Sequence, residues 1–114
     1  EEMLKNLAKA ILVSKGYTVL TAEDGMQGVE MYQSHQKEVT VVLSDIGLPI
    51  LSGQEVFRRI REINPEAKVI MASGFMDPET KSEMYKAGLK NFIQKPYLPD
   101  EVLQKIREVI DTDQ

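Results

Sequence analysis

The sequence contains no cysteine and no tryptophan. Without cysteine, disulfides and thiolate metal sites are excluded. Its one histidine, His35, excludes sites built from several imidazoles. No apolar run approaches the roughly 18 residues that span a bilayer. The first residues, Glu1-Glu2-Met3-Leu4-Lys5, lack the pattern of a signal peptide. The expectation is a cytoplasmic chain without membrane insertion. Long basic runs are absent as well, and the formal net charge is −4 with a sequence pI near 5.0. Such a chain gains no counterion-release term from nucleic-acid phosphates, so direct binding to DNA or RNA is not expected. Neither G-x-G-x-x-G nor G-x-x-x-x-G-K occurs, which removes the usual dinucleotide and P-loop phosphate cradles.

What remains fits one globular domain over residues 1–114, 42% hydrophobic and 28% charged. Leu4, Leu7, Ala8 and Ile11 recur at helical spacing, and Gly16 suits a left-handed stop. Tyr17 to Thr21 reads as a short strand rich in β-branched and aromatic residues. Asp24 caps a second helix with Met26, Val29 and Tyr32 inward. Val39 to Leu43 is a nearly unbroken apolar run, as in a strand buried on both faces. Val56, Phe57, Ile60 and Ile63 mark a third helix that ends at Asn64-Pro65. Lys68 to Ala72 is a further buried strand. Asp77-Pro78 opens a fourth helix, which stops at Gly88. Asn91 to Gln94 is a short strand, and Pro99 starts a last helix with Val102, Leu103, Ile106, Val109 and Ile110 inward.

Strands alternating with helices predict an α/β fold, a doubly wound, mostly parallel sheet of the flavodoxin-like type. The order of elements is unusual in beginning on a helix. A sheet of this kind normally begins with a central strand, so the sequence predicts a first strand that precedes Glu1 or is supplied by a partner.

In open α/β sheets, ligands bind at the carboxyl ends of the strands. Asp45, Ser73 and Lys95 each follow an apolar strand run, at three such ends. A carboxylate can serve as a nucleophile. An ammonium can neutralise a transferred phosphoryl group, and a hydroxyl can donate to one of its oxygens. Taken singly, each has an ordinary structural role: a turn-forming aspartate, a strand-end serine, a surface lysine. Their joint occurrence is the signal. His35 reads as a solvated helix end, the six methionines as packing, and Arg58, Arg59 and Arg61 as the solvated face of the third helix.

Asp45-Ile46-Gly47-Leu48-Pro49 followed by Gly53 resembles the phosphoacceptor loop of response regulator receiver domains. Val69 to Gly74 resembles that family's hydroxyl-ended fourth strand, and Phe92 to Tyr97 its fifth strand with the Lys-Pro pair. Thr21 to Gly25 is similar to the junction after its second strand. The loop and Ser73-Gly74-Phe75 look most like receivers attached to hybrid histidine kinases. The resemblance implies a two-component phosphoacceptor rather than an enzyme, cytoplasmic and dependent on Mg²⁺. Asp45 would take the phosphoryl group from a phosphohistidine on a histidine kinase or phosphotransfer domain. Lys95 would pair with Asp45 and then with the phosphoryl group, and Ser73 would bond a phosphoryl oxygen. Asp45 and the Gly47 backbone carbonyl would ligate Mg²⁺. Phe92 would be the rotating aromatic switch, and Pro96 would follow a cis peptide. The switching face, and a surface for homodimerisation, would lie on the fourth helix, the fifth strand and the fifth helix (α4-β5-α5 in the family's count).

Two departures accompany the resemblance. The family's acidic metal-binding pair belongs at the end of its first strand, and Glu1 and Glu2 are similar to the residues that follow that pair. Phe92 stands where many members have tyrosine. The rival readings are a phosphorylation-independent dimerisation or docking module, an aspartate-nucleophile phosphatase, and a flavin binder. The phosphatase would need a second acid where Gly47 stands. The flavin binder lacks a phosphate loop and a tryptophan to stack on the ring.

Overall fold

The computed structural model describes residues 9–22, 24–45, 52–74, 77–95 and 97–111, with Asp45 described by its backbone. Three parallel strands, β1 (Val42–Asp45), β2 (Val69–Ser73) and β3 (Asn91–Gln94), pair in the order β1-β2-β3. Among the described residues five helical segments accompany them: α1 over residues 9–14, α2 (Gly25–His35), α3 (Gly53–Ile63), α4 (Pro78–Lys86) and α5 (Pro99–Asp111). None is long and apolar enough to cross a membrane among the described residues.

Strand alternation sends neighbouring side chains to opposite faces, and β2 is buried along its whole length. Val69 and Met71 join Val29 and Tyr32 of α2, Val56, Phe57 and Ile60 of α3, and Met84 of α4. Ile70 faces the other way, among Leu12 of α1 and Val102, Ile106 and Val109 of α5. Helices therefore cover both faces, as the doubly wound expectation requires. The helix ends follow the sequence signals. Asp24 and Asp77 accept the N–H groups of Gln27 and Thr80, each at 2.8 Å. Asn64, before Pro65, is extended at the end of α3. Gly16 takes φ +93° after α1, and Gly88 takes φ +105° after α4.

Several expectations need correction. Residues 17–21 form no strand ladder. Tyr17 and Val19 still pack inward while Thr18, Leu20 and Thr21 are exposed, so the two-residue alternation is real. Alternation sets the pleat, but a ladder needs a neighbouring strand, and no described segment pairs with this one. The next strand begins at Val42 rather than Val39. Val39 is held in the turn after α2 by its N–H bond to the His35 carbonyl, and pairing starts with Val42 N–H donating to the Lys68 carbonyl. It then runs on through Ser44 and Asp45. Met26, expected inward, is 38% exposed; buried Gly25 lies beside it instead. Arg61 is not merely solvated: it lies over the Phe57 ring and donates to the Ala67 carbonyl. His35 does lie at the end of α2, half-buried, with Nδ1 3.0 Å from the Met31 carbonyl oxygen.

Candidate functional site

Because the strands are parallel, their carboxyl ends lie together. Asp45 ends β1 opposite Ala72. Ser73 ends β2 opposite Gln94. Lys95 follows β3 directly, and its backbone N–H donates to the Ser73 carbonyl at 2.8 Å. Ile93 is the β3 residue level with Asp45, and Lys95 lies two residues beyond it. With strands about 4.8 Å apart and a rise of about 3.3 Å per residue, the backbones of Asp45 and Lys95 stand about 12 Å apart across β2. A lysine and an aspartate side chain can close that span. The three residues singled out from sequence thus come to one edge of the sheet.

Ser73 is only 7% exposed, and its hydroxyl has no partner among the described residues. A buried hydroxyl left this way costs about 1–3 kcal/mol. Such a group at a strand end, where these sheets bind ligands, is suited to an incoming oxygen. Ser44 carries a second unpartnered buried hydroxyl, at 6% exposure. No role for Ser44 was evident from sequence, where it simply follows the apolar run Val39 to Leu43, next to Asp45. It pairs with Met71, which in turn pairs with Phe92. Ser44, Met71 and Phe92 therefore form one row across the sheet, below Ser73.

Phe92 is half-buried against the core cluster that contains Met71. The Lys81 ammonium of α4 lies over its ring, 5.3 Å from the centroid. Sequence reasoning missed this contact, because it joins an exposed helix residue to a strand residue eleven positions later. Beyond Ser73, α4 opens at Asp77, whose carboxylate accepts both the backbone N–H and the hydroxyl of Thr80. These bonds, the backbone one foremost, hold its pKa below the ordinary aspartate value. Gly47, Pro96, Glu1 and Glu2 lie outside the described residues, as does the Asp45 side chain. The expected metal carbonyl and cis peptide lie there too.

Residues 1–107 match the family model of the response regulator receiver domain. The chain belongs to that family. The receiver is 33% identical to the chemotaxis protein CheY of Bacillus subtilis over 109 residues, covering 95% of this chain and 89% of that protein. Among solved structures it is similar to a chain of the CheX-CheY-BeF3-Mg²⁺ complex from Borrelia burgdorferi. The TM-score there is 0.88 at 28% identity, with 98% of this chain and 84% of that one covered. The receiver domain of the sensor histidine kinase PA1611 from Pseudomonas aeruginosa, solved with magnesium coordinated in its active-site cleft, matches with a TM-score of 0.82. At 24% identity, over 98% of this chain and 92% of that one, this last match speaks for the fold alone. The flavodoxin-like receiver fold expected from sequence is thus the observed one, and membership of the response regulator receiver family is consistent with two-component signalling.

Proposed function

We propose that this receiver is a phosphoacceptor that takes a phosphoryl group onto Asp45. The observation that supports it best is the buried Ser73 hydroxyl, unpartnered among the described residues, on a residue joined through its own carbonyl to Lys95 at the strand ends where Asp45 also lies. The donor is a phosphohistidine on a histidine kinase or phosphotransfer domain. An Asp45 carboxylate oxygen attacks phosphorus, the P–N bond breaks, and the imidazole leaves with the electron pair. Lys95 neutralises one phosphoryl oxygen, and Ser73 donates its hydroxyl hydrogen to another. The chain acts stoichiometrically, as an acceptor and not as an enzyme.

Magnesium fits this chemistry. Among the described residues no three carboxylates or imidazoles converge. Mg²⁺, however, keeps several waters and is commonly held by one or two carboxylates plus phosphate oxygens. Asp45 and the Gly47 carbonyl would hold it, and when bound it supplies positive charge between the carboxylate and the phosphoryl oxygens.

Phosphorylation adds about −1.5 to −2 charges and three acceptor oxygens. Ser73 then moves toward an oxygen, and Phe92 turns into the space behind it. The face formed by α4, β3 and α5 changes shape for a partner, a second copy of the chain among them. Taking such an equilibrium from 1:99 to 99:1 needs about 5.5 kcal/mol of differential stabilisation. A few hydrogen bonds to a charged group, about 1.5–3 kcal/mol each, reach that value. Incubation with a ³²P-labelled phosphohistidine domain tests the reading. Label should pass to the chain, be released by hydroxylamine as an acyl phosphate is, and fail to pass to Asp45→Asn. Label on Asp45→Asn, or hydroxylamine-stable label, would contradict it; no transfer at all would point to the docking module.

A further inference from the structure

The Phe92 ring lies between a core and a cation. It packs against the cluster that includes Met71 and Met84, and the Lys81 ammonium lies over it at 5.3 Å from the centroid. Lys81 is itself exposed, on a helix fixed at both levels that matter. Asp77 caps the helix start, and Met84, three residues after Lys81, is 4% exposed in the core. The lysine stem therefore has a firm base from which to reach the ring. A phenylalanine has no hydroxyl through which to bond an outward partner. The face of its ring does attract a cation.

We infer that Lys81 is a positioning residue for the switch, holding the Phe92 ring in its half-buried place until Asp45 is phosphorylated. The inference rests on the phosphoacceptor reading above. A contact shifts a two-state equilibrium only by its difference between the states. The Lys81 contact exists with the ring where it is, and a ring turned inward behind Ser73 withdraws its face from the ammonium. A cation over an exposed aromatic face is worth about a two- to five-fold bias in such an equilibrium. Phosphorylation overcomes a bias of that size easily, so Lys81 sets the resting population without blocking the response.

The test uses the full chain in three forms: wild type, Lys81→Gln, which keeps much of the stem but not the charge, and Lys81→Arg, which keeps the cation. Aromatic NMR resonances of Phe92 are identified by their loss in Phe92→Leu. Phe57, under its own cation from Arg61, serves as the internal control. In K81Q the Phe92 ring resonances should move while those of Phe57 stay. The initial rate of phosphoryl uptake from a small donor with Mg²⁺ should rise about two- to five-fold. K81R should resemble wild type in both. Unmoved Phe92 resonances in K81Q, an unchanged uptake rate, or a K81R change as large as that of K81Q, would overturn the inference. Lack of uptake by the wild type would sink the phosphoacceptor reading instead, and the ring resonances would still decide whether Lys81 positions Phe92.

Discussion

The carbonyl of Ser73 accepts the backbone N–H of Lys95 at 2.8 Å, so the hydroxyl and the ammonium of the site are carried on one hydrogen-bonded step of the sheet. Neither residue can shift along its strand without disturbing the other. Asp45, on the far side of β2, completes the set one register position back, opposite Ala72. Rigid strands thus hold all three backbones, which leaves the side chains to respond to the ligand.

Ser73→Ala should separate stability from function. It removes a buried hydroxyl that has no described partner, so the folded state should gain about 1 kcal/mol in urea unfolding. The same change removes a hydrogen bond to a phosphoryl oxygen, and phosphoryl uptake should fall about ten-fold or more. Ser44→Ala is the control. It too deletes a buried, unpartnered hydroxyl and should stabilise the fold by a similar amount while leaving uptake near wild type.

At the start of α4, Asp77→Ala removes a cap that binds both the N–H and the hydroxyl of Thr80. Chemical denaturation at neutral pH should show a lower midpoint for the variant. The pH dependence has a definite sign. The folded-state pKa of Asp77 lies below its ordinary value of 3.8. Its contribution is therefore fully present above that value and is lost as pH falls through the lower folded value. The difference between wild type and variant should shrink only in acid.

Gly88→Ala should destabilise the turn after α4 by about 1–2 kcal/mol. Glycine is needed there twice over. Its φ is +105°, and an added Cβ would meet Nη1 of Arg61 at 3.2 Å. Arg61 is the side chain that spans Phe57 and the Ala67 carbonyl, so its displacement adds to the backbone strain. Thermal unfolding of the variant checks this.

On α3, the Glu55 carboxylate accepts hydrogen bonds from Arg58 and Arg59. Arg58 foremost, these bonds hold its pKa down at about 2 against an ordinary 4.5. The group lies at the surface, where water and salt screen such pairs. Glu55→Gln should therefore change stability little at neutral pH. What stabilisation exists is present above pH 4.5 and fades as pH falls through about 2. A titration of Glu55 by NMR, with its midpoint well below the usual glutamate range, is the direct check.

The fold was legible wherever local chemistry sets an element. Asp24, Asp77 and Pro78 announce helix starts, Gly16 and Gly88 announce stops, and the apolar run in β2 announces a strand buried on both faces. What depends on a distant neighbour was not. The residues from Tyr17 to Thr21 have strand composition and strand alternation, yet the ladder depends on a partner that composition cannot show. The start of β1 is set by where Lys68 lies, not by the valines before Val42. At the site, Asp45, Ser73 and Lys95 were readable because the strand-end rule needs only the strand ends. The unpartnered Ser44 hydroxyl and the Lys81–Phe92 contact were not, since both arise from packing between elements far apart in the chain.

The most direct test of the central claim is the intact mass of the chain before and after incubation with Mg²⁺ and a small phosphoryl donor. The expected result is a gain of one phosphoryl group in the wild type, reversed by hydroxylamine and absent in Asp45→Asn. An unchanged wild-type mass, or an equal gain in Asp45→Asn, would contradict it.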